Sequence, residues 1–162
     1  PKLVHVLDGG FKKWKKENKI TDNKEVITKN SIYSCEENIE LVKSKKQIDE
    51  NIDKNDFTVI DARSRERFEG KVAEPRKGLR SGSIKNSFCL PFNELINDDH
   101  TFVSKDKILE KFKSLNFDFD KNLVFSCGSG VTASVLALAY SLINDKYKPT
   151  IYDGSWSEYG RN

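Results

Sequence analysis

The stretch "NLVFSCGSGVTASVLALAY" places Cys127 between an apolar run and a glycine-containing loop. Gly128 and Gly130 give that loop the backbone freedom to turn its N–H groups inward as an anion-binding nest, and Ser129 and Thr132 add hydroxyl donors. Such donors, together with the dipole of a following helix, stabilise a thiolate. The pattern predicts that Cys127 is a reactive loop residue and not a core residue.

The loop lacks residues that some other cysteine enzymes need, and their absence limits the reactions that Cys127 could carry out. Cysteine phosphatases carry an arginine six residues after the cysteine, but Ala133 stands there, so phosphate ester hydrolysis is disfavoured. A papain-like hydrolase needs a histidine base, and neither His5 nor His100 lies in a motif that suggests one. Thiolate attack on a substrate's sulfur needs fewer proton-transferring side chains. The persulfide product is an anion, which the N–H and hydroxyl donors of the loop can stabilise. Sulfur transfer fits what remains.

The other two cysteines have different surroundings. Cys89 is flanked by large apolar residues in "SFCLPF", which indicates an inert core residue, and Cys35 has no glycine or basic neighbour to activate it. No CxxC pair occurs, and the chain has only 2 histidines. These features argue against a zinc site and a disulfide framework, so we expect no metal, no cofactor and a reducing compartment.

Arginine is concentrated in one segment of the chain. Five of the six arginines lie within residues 63–80, whereas positive charge elsewhere comes from lysine. Guanidinium groups offer planar, bidentate donors to carboxylate or sulfate-like oxygens. The cluster therefore predicts that at least two of these side chains meet an anionic ligand, the alternative being a solvated loop with internal ion pairs.

Composition excludes several classes of protein. The 162 residues suit one domain, and their net charge of +3 comes from scattered lysines, which does not indicate nucleic-acid binding. No apolar run is long enough for a membrane span. The chain starts at Pro1 and contains no methionine, so we expect its true N-terminus to be absent.

Apolar runs alternate with helix-like patterns, which predicts an α/β fold with a mainly parallel sheet flanked by helices. Strands are expected at 2–7, 57–61, 87–92, 122–126 and 149–153. Helical spacing is expected within 35–50 through Ile39, Val42 and Ile48, and within 104–115 behind an N-cap at Ser104. A third helix, from about 131 to 143, is expected to pack on the sheet through Val131, Val135, Leu138 and Leu142.

The two ends of the chain repeat one pattern. "VLDGGFKKW" aligns with "IYDGSWSEY", with Asp8 on Asp153 and Trp14 on Tyr159. Each copy is expected to be a strand end, an Asp-Gly turn and a helix with aromatic residues. We therefore predict that residues 1–18 are the tail of a preceding domain, 19–30 a polar linker and 31–162 the catalytic domain.

In the cysteine loop, the arginine segment and the repeated motif, the chain resembles the rhodanese superfamily, and within it the second domain of the two-domain sulfurtransferases. "CGSGVTA" resembles the active-site loop of the mercaptopyruvate-type members, as distinct from the CRKGVTA-type loop of thiosulfate sulfurtransferases. "DARSRERFEGKVAEPRKGLRSGSI" resembles the family's arginine-rich segment, although Ser83 replaces its histidine, and "YDGSWSEYG" resembles its closing motif. The ordered motifs extend from Leu7 to Gly160.

The resemblance implies a function and a site. Cys127 would accept sulfur from 3-mercaptopyruvate, release pyruvate, and pass the sulfur to cyanide or to a thiol such as thioredoxin or glutathione. Ser129 would belong to the catalytic constellation, and Arg67 and Arg76 would hold the substrate carboxylate and carbonyl. The loop residues Gly128, Gly130, Val131 and Thr132 would complete the binding site.

The resemblance also bears on partners and on alternatives. An N-terminal rhodanese-like domain of the same chain would share the interface at which the active site lies, and the compartment would be the cytoplasm or the mitochondrion. Two other functions stay open, namely a partner-dependent persulfide carrier or binding module, and a thiosulfate sulfurtransferase.

Overall fold

Four strands form one parallel sheet in the computed structural model, which describes residues 4–161. The strands are β1 (Phe57–Asp61), β2 (Phe88–Cys89), β3 (Asn122–Ser126) and β4 (Thr150–Ile151), in the order β2-β1-β3-β4. β1 and β3 pair along their whole length and form the centre of the sheet. The predicted α/β architecture with a parallel sheet is confirmed.

Helices cover both faces of the sheet. They are α1 (Gly10–Lys16), α2 (Lys45–Lys54), α3 (Arg65–Phe68), α4 (Lys105–Lys113), α5 (Val131–Ser141) and α6 (Ser155–Tyr159). One apolar cluster joins the sheet to α4 and α5 through Phe112, Phe125 and Leu136. A second joins the opposite face to α2 and α6 through Ile48 and Trp156. The sheet is thus buried on both sides, as parallel sheets usually are.

The strand order creates a crevice at the carboxyl ends of the two central strands. The chain leaves β1 toward the β2 edge and leaves β3 toward the β4 edge. The loops that follow β1 and β3 therefore diverge from a topological switch point, which is where open α/β sheets bind their ligands. The loop after β1 carries the arginine cluster, and the loop after β3 begins at Cys127.

The helix expected in 104–115 is confirmed as α4, and the Ser104 side chain accepts a hydrogen bond from the Lys107 N–H at 3.4 Å. The helix expected within 35–50 starts later than its periodicity indicates. α2 begins after Ser44, whose side chain and that of Gln47 form a capping box, and this box stops the helix from extending backwards. Val42 instead lies in a parallel bridge with Ile151, which protects the outer side of β4.

Three expected strands differ from the structure. Residues 4–7 form no strand, because the Leu7 carbonyl accepts a turn hydrogen bond from Gly10 N–H, while residues 1–3 lie outside the described part. The run 87–92 is a strand only at β2, since Pro91 has no N–H to donate and begins a 3-10 turn. The run 149–153 is likewise reduced to the two residues of β4.

The apolar stripe expected on α5 is on the wrong side of the helix. Val131 is 72% exposed, and Val135 and Leu138 are only half-buried, whereas Leu142, just past the end of the helix, does pack against the main apolar cluster. The buried face consists of Ala133, Leu136, Ala137, Ala139 and Tyr140. Because α5 is apolar on most of its surface, periodicity could not identify the side that meets the sheet. Val135 and Leu138 instead line a shallow cavity with Val6 and Leu7 of the N-terminal segment.

The turns of the two repeat copies are alike at one aligned position and differ at the position before it, where Gly9 has a left-handed φ of 85° and Gly154 a helical φ of −55°. α1 and α6 begin at aligned residues, Gly10 and Ser155, and both have left-handed φ angles of 57° and 48°. Between α1 and the first 3-10 turn at 39–41, residues 19–38 form neither helix nor strand and are all exposed. The proposed linker, 19–30, lies within that segment.

The helices of the described residues are short. α5, with 11 residues, is the longest of them, and none of the helices between residues 4 and 161 is long and apolar enough to cross a membrane.

Phe112 gives a direct test of this packing. Its side chain is completely buried and makes edge contacts with the rings of Phe125 and Tyr140 at centroid distances of 6.1 and 4.9 Å. We expect Phe112→Ala to lower the free energy of unfolding by about 3–5 kcal/mol, because it leaves a cavity between α4 and the sheet. Urea unfolding measures this loss. Phe119→Ala, at a ring that is 42% exposed, is the control and should cost about 1 kcal/mol or less.

Candidate active site

Cys127 follows β3 directly and ends in a cavity at the carboxyl edge of the sheet. The expectation that it lies in a loop outside the core is wrong in one respect, because only 2% of the residue is exposed and it packs in the same apolar cluster as Phe125 and Leu136. Cys127 therefore packs in the core and also forms part of the wall of the cavity. Its sulfur is held by the packing of α5 on the sheet.

The amides of the cysteine loop point in two directions. Ser129 N–H donates to the Cys127 sulfur at 3.4 Å, which is the contact expected of an anion nest. The N–H groups of Cys127 and Gly130 donate instead to the Ser155 hydroxyl oxygen, at 3.0 and 3.1 Å. The expectation that successive amides all turn toward the sulfur is thus met only in part. The first-turn N–H groups of α5 add the positive end of a helix dipole beside the loop.

Ser155 anchors the cysteine loop to α6. It is completely buried, and its hydroxyl accepts the two loop amides while donating to the Tyr152 carbonyl at 2.8 Å. This places three hydrogen bonds on one oxygen. The residue has a left-handed φ of 48°, a conformation that costs a non-glycine residue free energy. The hydrogen bonds compensate for that strain and keep the loop in one shape.

The cavity beside the sulfur has a volume of about 280 Å³. It brings together seven residues singled out in the sequence, namely Arg67, Arg76, Cys127, Gly128, Ser129, Val131 and Thr132. The eighth, Gly130, is buried behind the loop as the N-cap of α5. Three further residues complete the wall, namely Glu74, Pro75 and Leu79.

Two glycines of the cysteine loop allow close approaches by other side chains. A Cβ atom on Gly128 would lie 3.1 Å from a terminal nitrogen of Arg67, so glycine here lets the guanidinium rest against the cysteine loop. Gly130 has a φ of 81°, and a Cβ there would lie 2.7 Å from a carboxylate oxygen of Asp153. Gly130 is thus required by its contact and by its left-handed conformation, whereas a side chain at Gly128 would only displace the end of Arg67 slightly.

Arg63 connects the arginine cluster to the core. The residue is 2% exposed, and its guanidinium donates to both carboxylate oxygens of Asp61, to Glu74 at 2.8 Å and to the Gly82 carbonyl at 2.8 Å. One face of it lies 4.4 Å above the Trp156 ring. Each of the three guanidinium nitrogens of Arg63 thus has a protein partner, and the residue is buried away from the cavity wall.

Glu74 connects Arg63 to the cavity. Its side chain is 1% exposed, and its carboxylate accepts hydrogen bonds from Arg63 and from two nitrogens of Arg67. Burial raises the pKa of Glu74, but the hydrogen bond from Arg67 and the charges of the two guanidinium groups outweigh it and lower that pKa below its usual value. The carboxylate therefore stays ionised and orients Arg67 along the cavity wall.

The remaining clustered arginines divide between structure and cavity. Arg65 pairs with Glu94 at 2.7 Å, and Arg80 lies over the rings of Trp156 and Tyr159. Arg76 lines the cavity, and within residues 4–161 no carboxylate lies within 4.0 Å of its guanidinium. Arg67 and Arg76 are thus the two members of the cluster that border the Cys127 cavity, while Arg63, Arg65 and Arg80 serve the fold.

The other described groups that could do chemistry lie elsewhere. Burial raises the pKa of the Cys89 thiol to about 12, in agreement with the expected inert core residue. A larger groove of about 650 Å³ opens at the amino-terminal ends of β1, β3 and β4. Its walls are mostly lysines, carboxylates and amides, together with Phe57, Val124 and Thr150, and contain no cysteine. Within residues 4–161, no three histidine, cysteine or acidic side chains are placed to hold a metal ion.

Together these features describe an α/β protein in which a buried cysteine and two arginines line the same small cavity at the carboxyl edge of the sheet. The chain matches the rhodanese-like domain family over residues 44–162. Since that match covers most of the chain, the protein belongs to the rhodanese-like family.

Named relatives agree with this family. The chain is 36% identical over 156 residues to 3-mercaptopyruvate sulfurtransferase of Mus musculus, covering 96% of this chain and 52% of the relative. It is 34% identical over 159 residues to thiosulfate sulfurtransferase of Bos taurus, and the match covers 98% of this chain and 53% of the relative. The crystal structure of SseA from Escherichia coli, described with the 3-mercaptopyruvate sulfotransferases, has a TM-score of 0.73 and 29% identity over 90% of this chain and 53% of that one. The chain spans about half the length of these relatives.

Sequence reasoning missed Glu74 and Ser155. Glu74 stands between the two arginines of "RFEGKVAEPR", and an acidic residue enclosed by several arginines is a signal for a buried ion pair. Ser155 follows the Asp-Gly turn, but nothing in its neighbours indicates that its hydroxyl reaches a loop 28 residues earlier.

Ser155→Ala tests the anchor of the cysteine loop. Without the hydroxyl, the N–H groups of Cys127 and Gly130 are buried and unpaired, so we expect the free energy of unfolding to fall by about 2 kcal/mol. The Cys127 thiol should also react faster with an alkylating reagent, because the loop opens more often. Urea unfolding and mass-resolved alkylation measure the two effects. Ser157→Ala, which removes a hydroxyl bonded only to Gly154 on the same helix, should change neither.

Proposed function

We propose that this protein is a sulfurtransferase in which Cys127 carries the transferred sulfur as a persulfide. The observation that carries this proposal is the shared cavity, where the Cys127 sulfur stands beside Arg67 and Arg76. A thiol alone has many uses, but a thiol beside two guanidinium groups suits a small donor whose carboxylate is held while its sulfur is attacked. The relatives named as sulfurtransferases support the same reaction.

The proposed first step moves one sulfur atom. The Cys127 thiolate attacks the sulfur of 3-mercaptopyruvate and forms an S–S bond, while the carbon–sulfur bond breaks and its electron pair leaves with the carbon. The resulting enolate takes the proton of the donor thiol and becomes pyruvate. Ser129 N–H and the amino end of α5 would stabilise the sulfur anion before and after this step.

The proposed second step regenerates the cysteine. An acceptor thiol, or cyanide, attacks the outer sulfur of the persulfide, the S–S bond breaks, and Cys127 leaves as a thiolate. A small thiol such as glutathione and a protein thiol such as that of thioredoxin are the acceptor classes we propose. The exposed Val131 at the cavity mouth leaves that side of the site open to them.

The proposed donor is a keto acid in preference to thiosulfate. The loop carries the uncharged pair Gly128-Ser129 beside Cys127, so the cavity contains no cation from that side. A doubly charged donor gains more from an added cation than a singly charged one. The relatives include both mercaptopyruvate and thiosulfate enzymes, so the preference rests on this loop chemistry.

We also propose that the domain acts in a tandem chain, with residues 1–18 as the end of a preceding rhodanese-like domain and 31–162 as the catalytic one. The aligned motifs "VLDGGFKKW" and "IYDGSWSEY", with left-handed φ angles at both Gly10 and Ser155, support an internal repeat. Apolar residues of the N-terminal segment, such as Val6, Phe11 and Trp14, are exposed in this structure. Relatives of about twice this length agree with a second domain that would cover them.

A comparison of donors tests the proposed reaction. Pyruvate release from 3-mercaptopyruvate and thiocyanate formation from thiosulfate with cyanide are measured side by side in the full-length protein. We expect a preference for mercaptopyruvate of at least about tenfold in kcat/KM. Cys127→Ser should abolish both activities, because a hydroxyl is a far poorer nucleophile toward sulfur, whereas Cys89→Ser should retain them. Turnover of neither donor by the unmodified protein would instead favour a partner-dependent persulfide carrier.

Arg76→Lys tests the carboxylate site. A point charge replaces a bidentate fork, so we expect the KM for mercaptopyruvate to rise about tenfold while kcat changes by less than about threefold. Arg65→Lys is the matched control, because Arg65 lies in the same segment but pairs with Glu94 outside the cavity. Steady-state kinetics distinguish the two variants. An unchanged KM in Arg76→Lys would remove this residue from the site.

A further inference from the structure

Glu74 is a buried carboxylate that belongs to both the core and the cavity. Its side chain is 1% exposed, yet the residue forms part of the wall beside Cys127. One carboxylate oxygen accepts from Arg63 at 2.8 Å and from the Arg67 Nε at 3.2 Å, and the other accepts from a terminal nitrogen of Arg67. Two nitrogens of the Arg67 guanidinium are thus hydrogen-bonded to Glu74, which restricts the movement of this guanidinium into the cavity.

The charges around the cavity can be counted from these pairs. Arg63 forms its closest pair with Asp61, and these two charges cancel inside the core. Glu74 then balances Arg67, which leaves Arg76 as the one cavity cation without a carboxylate within 4.0 Å among residues 4–161. Apart from Cys127, the other residues of the wall are uncharged. The fixed side chains of the cavity therefore contribute one net positive charge, where two arginines alone would contribute two.

Loss of one positive charge from the wall weakens the binding of a doubly charged ligand more than that of a singly charged one, whatever the charge state of Cys127. A second positive charge would interact with a doubly charged anion about twice as strongly as with a singly charged anion at the same distance. Glu74 removes that advantage, and because its own side chain is only 1% exposed, its charge is screened less than that of a surface residue.

We propose that Glu74 is a positioning and specificity-determining residue, which holds Arg67 against the cavity wall and restricts the site to singly charged donors. This inference rests on the sulfur-transfer function proposed above and names the residue that sets its choice of donor. Glu74 contacts Arg67, and it acts on the ligand through that guanidinium and through the charge of the cavity.

Glu94 provides a matched comparison. It too is a carboxylate between two cations, accepting from Arg65 and Lys111 at 2.7 Å each, but it does not line the cavity. Loss of its charge tests what the removal of an ordinary ion pair does to this protein. Any effect seen at Glu74 and not at Glu94 belongs to the site.

The test uses Glu74→Gln and Glu94→Gln in the full-length protein, each checked for folding by circular dichroism. The measured quantity is kcat/KM for thiosulfate divided by kcat/KM for 3-mercaptopyruvate. Glu74→Gln keeps the shape and an oxygen acceptor but removes the charge, so we expect this ratio to rise at least about tenfold. Glu94→Gln should leave it within about twofold. An unchanged ratio in folded Glu74→Gln, with both donors affected equally, would overturn the proposal.

Glu74→Asp separates charge from position and serves also if Glu74→Gln does not fold. It keeps the negative charge but shortens the reach to Arg67, so the donor ratio should stay within about twofold of the unmodified protein while the KM for mercaptopyruvate rises about tenfold. A rise of the donor ratio in Glu74→Asp, or an effect on kcat with no effect on KM, would contradict the proposal.

A binding measurement distinguishes failure of this inference from failure of the proposed reaction. Calorimetric titration of Cys127→Ser protein with pyruvate, a monoanion, and with sulfate, a dianion, requires no turnover. Adding Glu74→Gln should raise the affinity for sulfate relative to pyruvate at least about tenfold. That result in a protein that turns over neither donor would reject sulfur transfer and keep the role of Glu74. Equal affinity changes for both anions would reject the role of Glu74 whatever the reaction.

Discussion

The structure of this site depends on a buried series of alternating acidic and basic side chains that begins at the end of β1. Asp61 pairs with Arg63, Arg63 with Glu74, and Glu74 with Arg67, and three of these four side chains are at most 2% exposed. Each buried charge has an opposite neighbour and a hydrogen bond, which is the condition under which such groups are tolerated in a core. The network fixes the loop after β1, and it delivers Arg67 to the cavity in one orientation.

A second constraint acts on the loop after β3. There the Ser155 hydroxyl accepts hydrogen bonds from two amides of the cysteine loop, which ties the first residue of α6 to that loop. The sheet topology brings the two constrained loops together, because the carboxyl ends of β1 and β3 flank the switch point. In this chain the thiol and the guanidinium groups thus lie on two loops that hydrogen bonds and ion pairs tie to the core.

Sequence reasoning found the parts of this arrangement that depend on local chemistry. The parallel sheet, the cap of α4 at Ser104 and the inert Cys89 follow from short patterns. The residues expected beside Cys127, with the exception of Gly130, line one cavity with it. Sequence reasoning failed where contacts beyond the local pattern determine the structure. The start of α2 depends on a capping box, the buried side of α5 on where the sheet lies, and the roles of Glu74 and Ser155 on partners distant in the chain.

The central claim is that Cys127 receives a sulfur atom from a donor held in the arginine-lined cavity. Its most direct test is peptide mass spectrometry of the full-length protein after brief exposure to 3-mercaptopyruvate, without acceptor, under conditions that preserve persulfides. The account predicts a gain of one sulfur atom on the peptide that contains Cys127, with Cys35 and Cys89 unmodified, and a matching amount of pyruvate in solution. Pyruvate release without sulfur on Cys127, or sulfur distributed over all three cysteines, would contradict it.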